Sequence, residues 1–286
     1  MQGLYPLWKS RTGYNRFMDS ATAVRLLDLN REFYTRFGES FSATRHRIQP
    51  GVGRVLESLG GDEDILDLGC GNGELARELV RRGHRGSYLG VDFSLPLLRD
   101  AESSPAGTSQ PEGFSARFIE TDLTSKNLIS VIARNRETVT KQSPGELGIA
   151  SVASLPRNDG FDIIFCFATL HHIPSHEFRI SILQTVHSLL KPDGKFIHSN
   201  WQFLNSEKLK ARIQPWEAAA VDGSEVDAGD YLLDWRSGGK GLRYVHHFSQ
   251  EELGELAEAS RFRILESFTS DGENGRLGLY QVWAPV

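Results

Sequence analysis

The sequence predicts an α/β fold: a mostly parallel sheet with helices on both faces, closed along one edge by an antiparallel hairpin strand. Three observations predict it. Short apolar runs bounded by Gly or Asp ("DILDLG", "SYLGVDF", "ARFIETDL", "FDIIFCFA", "GKFIHSNW") read as buried strands. Helical patterns such as "GELARELVRRG" and "EFRISILQTVHSLLKPDG" lie between several of them, which implies crossover helices. The last two runs, "FRILESFTS" and "GLYQVWAP", are separated only by "DGENGR", a hairpin signal.

Along the chain, residues 1–60 read as an N-terminal helical lid, and residues 61–286 as the sheet domain with insertions at 124–160 and 202–248. "MQGLYPLWKSRTGYNR" lacks the continuous apolar segment of a secretory signal, and the apolar run around "DIIFCFATL" is too short for a membrane helix. Segment 102–113 is small, polar and rich in Pro and Gly, so it reads as a loop. The 124–160 insertion holds one helical pattern, "NLISVIARNRETV". Before the last helix, Ser249 and Glu252 have capping-box spacing. Only two cysteines occur, Cys70 and Cys166, each in a strand-end segment. A disulfide framework is therefore not expected, and a cytoplasmic location is the default. A net charge of -5 gives no general attraction to nucleic acid. Local charge is uneven: residues 25–54 and 235–247 are rich in Arg and Lys, and five acids fall within 222–234. The expectation is two basic stretches flanking a pocket and an acidic one facing away, or simply solvated faces.

The first strand runs into a glycine turn, Asp67-Leu68-Gly69-Cys70-Gly71-Asn72-Gly73-Glu74. A dinucleotide fingerprint needs its third glycine at position 74, and Glu74 stands there. A carboxylate in the first turn of the helix disfavours a pyrophosphate. Asp92 ends the second strand, placed for a ribose, and Asp122 follows the third, near an adenine amino group. Acids at these places suit a cationic nucleoside without phosphates, and S-adenosylmethionine is such a ligand.

"ILDLGCGNG", "GVDFS", "TDL", "FDIIFCFATLHHI" and "LLKPDGKF" resemble, in order across residues 65–197, the successive motifs of the class I S-adenosylmethionine-dependent methyltransferases. The resemblance implies a seven-stranded Rossmann-like sheet with an antiparallel last strand and an N-terminal helical extension. It implies that Asp67, Gly69, Cys70, Gly71, Gly73, Asp92, Phe93, Asp122, Leu123, Phe167, Ala168 and His171 surround the cofactor. A narrower resemblance is to the tRNA wobble-uridine (carboxymethyluridine) methyltransferases. Phe41, Ser42, Thr44 and Arg45 match their Phe-Ser-x-Thr-Arg signature, and "RYVHHF" (Arg243, Tyr244, His246, Phe248) matches an element before their final helix. That family esterifies the carboxylate of a carboxymethyl group on tRNA, and eukaryotic members work with a small zinc-binding activator subunit. By this resemblance Tyr34, Phe41 and Arg45 close over the cofactor, Arg45 reaching its methionine carboxylate, and Arg243, Tyr244 and His246 serve catalysis.

The chemistry agrees. Methyl transfer is an in-line displacement, so alignment supplies most of the catalysis. A carboxylate is ionised at neutral pH and needs no general base, only a cationic clamp; Arg243 can supply one. No metal is expected at His171-His172, because adjacent histidines point apart and Ile-Pro follows. Trp201, Trp216 and Trp235 are candidates for stacking on a base or for packing. Three readings stand: a methyltransferase acting on tRNA or another carboxylate, a small-metabolite methyltransferase in which 202–248 is a lid, and a silent cofactor-binding scaffold.

Overall fold

The computed structural model describes residues 18–43, 47–103, 112–140 and 160–286. Numbered along the chain, its strands are β1 (Ile65–Leu68), β2 (Ser87–Asp92), β3 (Ser115–Glu120), β4 (Phe161–Phe167), β5 (Leu190–Trp201), β6 (Ile213–Gln214), β7 (Asp230–Trp235), β8 (Gly241–His246), β9 (Phe262–Ser270) and β10 (Gly278–Pro285). Seven of them form one sheet in the order β3-β2-β1-β4-β5-β10-β9. The first five are parallel, and β10 is antiparallel to both β5 and β9. This is the mixed sheet expected from the strand runs and the final hairpin.

Helices α1 (Ser20–Ser42), α2 (Pro50–Leu56), α3 (Glu74–Arg81), α4 (Leu95–Glu102), α5 (Leu128–Thr140), α6 (His176–Leu189), α7 (Glu207–Lys210) and α8 (Gln250–Ala259) complete the architecture. One apolar cluster joins α2 and α3 to the sheet through Val52, Leu79, Ile65 and Tyr88. The other joins α5, α6 and α8 to the opposite face through Ile132, Leu183, Leu256 and Phe196. β1, buried at all four positions, reads as a continuous apolar run because it is covered on both faces. The chain winds outward from β1 to β3 and then returns to start β4 on the other side of β1. That reversal leaves a crevice at the carboxyl ends of β1 and β4, where ligands of open α/β sheets bind.

The Lys-Pro-Asp-Gly stretch behaves differently from its sequence signal. α6 passes directly into β5 at Leu190, and the pairing jumps from Phe161↔Leu190 to Ile163↔Lys195. The turn residues are absorbed as a bulge at the strand's start, which tolerates a proline without an N–H.

The 202–248 excursion builds a second sheet, β6-β7-β8, antiparallel throughout. α1 lies against β8 along a stripe of Ala23, Leu26, Leu27, Asn30, Phe33, Tyr34 and Phe37, all buried at helical spacing. Burial of Leu26, Phe33 and Phe37 contributes about 1.5–3 kcal/mol each. Asp19 starts the helix, its carboxylate accepting the Ala21 and Thr22 N–H groups at 2.8 and 2.9 Å. Ser42 closes it: its hydroxyl donates to Asp100 and accepts from the Asn72 amide at 2.9 Å.

The acidic run 222–234 does not simply face outward. Asp230 is buried, and Asp227 accepts the Met18 N–H at 3.0 Å. The capping box at α8 forms by half. Ser249 accepts the Glu252 N–H at 3.0 Å, but the Glu252 side chain turns to His246.

Candidate functional site

A cavity of about 450 Å³ opens at the carboxyl ends of the central strands. Its size falls within the roughly 300–1,000 Å³ of small-molecule sites. Gly69, Gly71, Asp92, Phe93, Asp122, Leu123, Phe167, Ala168 and His171 all line it.

The glycine turn shapes one end. Gly69 and Gly73 have φ of 78° and 74°, in the left-handed region. A Cβ at Gly69 would sit 2.2 Å from Thr169 Oγ1, and one at Gly73 would sit 2.8 Å from the Ala101 Cβ. Gly71 has open space where its Cβ would be, and its N–H donates to Asp92 Oδ2 at 2.9 Å. Asp92 Oδ1 accepts the Ser94 N–H at 2.9 Å. Burial pushes the Asp92 carboxyl up, against the pull of these backbone donors. An ionised carboxylate offers about four lone-pair sites, so beside the Gly71, Ser94 and Phe93 N–H groups there is capacity for a ligand's hydroxyl. The empty cradle at Gly71 beside such an acceptor fits a nucleoside.

Asp67, Cys70 and Gly73 shape the turn from behind and are not on the cavity wall. Asp67 is buried and accepts the Tyr88 hydroxyl at 2.6 Å. Burial, with Asp92 nearby, pushes its carboxyl up to about 7. Burial likewise pushes the Cys70 and Cys166 thiols up, which keeps them protonated packing groups. Glu74 opens α3 as expected, but Arg77 and Arg81 pair with it at 3.0 and 2.7 Å. Its charge is compensated, so it repels a phosphate less than the sequence suggests.

Asp122 binds Arg31 of α1 and accepts two bonds from Thr124 at 2.7 Å. Burial raises this carboxyl, but the Thr124 and Arg31 bonds outweigh it and hold it below the ordinary range. Ala168, at φ 51°, turns the chain at the end of β4, its N–H donating to the Ser199 hydroxyl at 3.1 Å. Next to it, the Trp201 N–H donates to His171 Nδ1 at 3.3 Å. The His172 ring donates from Nδ1 to the Tyr244 carbonyl at 3.1 Å, so its Nε2 can accept the Tyr34 hydroxyl at 3.0 Å. Asn30 is the stitch beneath this. It donates to the carbonyls of His172 and Tyr244 at 3.1 and 3.2 Å and accepts the Tyr244 N–H at 2.8 Å.

Arg243 lines the cavity, 5% exposed, with its guanidinium 4.9 Å from the Trp201 ring, 5.6 Å from Phe33 and 5.7 Å from Trp235. Trp235 is thereby a packing residue that shapes the arginine's surroundings, and Trp216 packs beneath α1. Tyr244 and His246 are not brought to the cavity. Tyr244 donates to Asp230 at 2.6 Å and accepts from Arg179 at 2.8 Å. His246 lies between Asp230 and Glu252 at 2.6 and 2.9 Å. The reason is strand geometry: successive residues of β8 point to opposite faces, so Tyr244 and His246 face away when Arg243 faces the cavity. Their network, buried with Arg179, fastens the small sheet to α6 and α8 instead. Arg45 and Thr44 lie outside the described residues, as does the Phe41 side chain.

Several cavity residues carried no signal in sequence. Asn30 sits in the apolar stripe of α1 with Arg31 beside it, and Ser199, Asp271 and Tyr280 come from β5 and the β9–β10 hairpin. For Asn30, a polar residue interrupting the apolar face of α1 was the available clue.

A family model described as "Methyltransferase domain" matches residues 41–267. A methyltransferase of Encephalitozoon cuniculi is 27% identical over 241 residues, 84% of this chain and 89% of that one. The tRNA (carboxymethyluridine(34)-5-O)-methyltransferase of Xenopus tropicalis is 26% identical over 205 residues, 70% of this chain, which spans about a quarter (26%) of that protein's length. A ubiquinone biosynthesis O-methyltransferase of Salmonella paratyphi A is 25% identical over 182 residues, 63% of this chain and 57% of that one. Among solved structures, a SAM-dependent methyltransferase from Methanosarcina mazei superposes with a TM-score of 0.58 at 22% identity, covering 84% of this chain and 98% of that one.

Proposed function

The chain belongs to the methyltransferase-domain family, and from that premise we propose that it methylates the carboxylate of a carboxymethyluridine at a tRNA wobble position in the cytoplasm. It is an S-adenosylmethionine-dependent methyltransferase. Gly69, Gly71, Asp92, Phe93 and Leu123 would hold the cofactor, with Asp92 on its ribose. When bound, the cofactor supplies an electrophilic methyl group.

The observation that carries the acceptor assignment is the setting of Arg243. A planar cation, ringed by Phe33, Trp201 and Trp235 on the cavity wall, suits a planar anion. Arg243 orients the carboxylate through one oxygen and leaves the other free to attack. No side chain needs to take a proton, because the acceptor is already ionised at neutral pH. The likeness of "RYVHHF" to the wobble-uridine enzymes supports the same choice.

Arg243→Ala and Arg243→Lys test it. Both should bind S-adenosylmethionine like the wild type. Methylation of a carboxymethyluridine-containing anticodon stem should fall by about 2–4 kcal/mol in kcat/KM for the alanine variant. Lysine should rescue little, since a point charge does not fix the carboxylate plane. Near-normal turnover in both variants would reduce Arg243 to a packing residue. The second reading, a small-molecule metabolite with 202–248 as a lid, rests on the biosynthetic O-methyltransferase relative. We also propose, from the family resemblance, an activator subunit that co-purifies with the enzyme.

A further inference from the structure

Three carboxylates line the cavity among the described residues: Asp92, Asp122 and Asp271. Asp92 faces the nucleoside end, and Asp122 is paired with Arg31. Asp271 has neither role. It follows β9, beside Gly278 at the start of β10, and Gly278 pairs with Trp201 at the end of β5. Counted along the sheet edge, β10 is four strands from β2, whose end bears Asp92. At about 4.8 Å per strand that is roughly 19 Å, so a nucleoside held at Asp92 leaves this end of the cavity to the acceptor.

The carboxylate is held from two sides. Oδ1 accepts the Gly51 N–H at the start of α2 at 2.9 Å, and Oδ2 accepts the Tyr280 hydroxyl at 2.6 Å. A Cβ at Gly278 would lie 2.7 Å from Oδ2, so the glycine makes room for it. Among the described residues no lysine or arginine pairs with Asp271, and two of its roughly four lone-pair sites remain. Its backbone stands at φ 71°, an uncommon conformation for a residue other than glycine.

We infer that Asp271, held by Tyr280 and the start of α2, is a recognition residue for the acceptor. It takes a hydrogen-bond donor, a sugar hydroxyl or a ring imide N–H, of the molecule whose carboxylate lies at Arg243. The inference rests on the carboxylate-acceptor reading above and gives it a second pole. An anion at one wall and a donor at another describe a polar, nucleoside-like acceptor better than a simple fatty or aromatic acid.

Calorimetry on the full chain loaded with S-adenosylhomocysteine tests this with 5-carboxymethyluridine as probe. Asp271→Asn should bind the probe about tenfold more weakly and bind S-adenosylhomocysteine unchanged. Tyr280→Phe, which keeps the ring but removes the hydroxyl orienting Asp271, should lose about threefold. The N3-methyl and 2′,3′-O-isopropylidene derivatives identify the donor. Blocking the one that Asp271 reads should weaken the wild type about tenfold and the Asn variant little. Equal probe affinity in wild type and both variants overturns the inference. A loss of S-adenosylhomocysteine affinity as large as the loss for the probe overturns it too. Failure of the underlying reading looks different: the wild type would bind uridine as tightly as 5-carboxymethyluridine, and the Asp271 comparison could still be read with uridine.

Discussion

Asp92 receives backbone donors on both oxygens, from Gly71 and Ser94, before any ligand arrives. It is thus oriented in advance, and an aspartate 8% exposed makes stronger hydrogen bonds than one in water. Asp92→Ala should lower S-adenosylmethionine affinity by about 2–4 kcal/mol in calorimetry, because two ribose hydroxyls lose a charged acceptor. Unchanged affinity would remove the ribose assignment. Asp67 shows the limit of reading roles from a motif. It stands two residues before Gly69, yet its buried carboxylate accepts the Tyr88 hydroxyl of the neighbouring strand β2. The motif was legible as a turn, but which members touch a ligand depended on side-chain direction.

At the scale of elements, the Asn30 amide is the buried stitch among the polar contacts that fasten α1 to the site, beside Arg31 on Asp122 and Tyr34 on His172. Asn30 satisfies both backbone groups of Tyr244 and the carbonyl of His172, joining α1 to β8 and to the loop after β4. Asn30→Ala should destabilise the protein by about 2–4 kcal/mol in chemical denaturation, since buried backbone groups lose their partners. A change under 0.5 kcal/mol would mean that the Asn30 bonds do not hold α1 (roughly the scatter of ordinary surface substitutions). The helix itself was legible from its apolar spacing. Its destination was not, because β8 lies some two hundred residues away in sequence (214 between Asn30 and Tyr244). β8 carries the opposite lesson. "RYVHHF" looks like one recognition unit, but pleating divides it into Arg243 on the cavity side and Tyr244 with His246 in a buried ionic network.

For the molecule as a whole, the salt dependence of binding reports the size of the acceptor. If tRNA is the substrate, arginine and lysine contacts to phosphates should make log K for the complex fall steeply with log salt, by roughly 0.9 per neutralised phosphate. A small metabolite should show little dependence. A flat response to salt for an anticodon stem in filter binding would favour the metabolite. The family match spans residues 41–267 and so covers the small sheet and the large sheet from β1 into β9, with β10 beyond it, whereas the wobble-uridine relative is far longer than this chain.

The strand runs, the crossover helices, the final hairpin and the glycine-acid-acid order were determined by the sequence alone. Each depends on local periodicity or on a short-range turn, and Gly69, Gly71, Asp92 and Asp122 reach the cavity as that order implied. What only the tertiary structure decided are the long-range meetings. Arg31 meets Asp122, the aromatic rings of Phe33, Trp201 and Trp235 gather on Arg243, and Asp271 arrives with Tyr280 at the β10 end of the cavity. These come from chain segments whose adjacency is set by strand order and packing against buried surface, neither of which is encoded within any one stretch of residues.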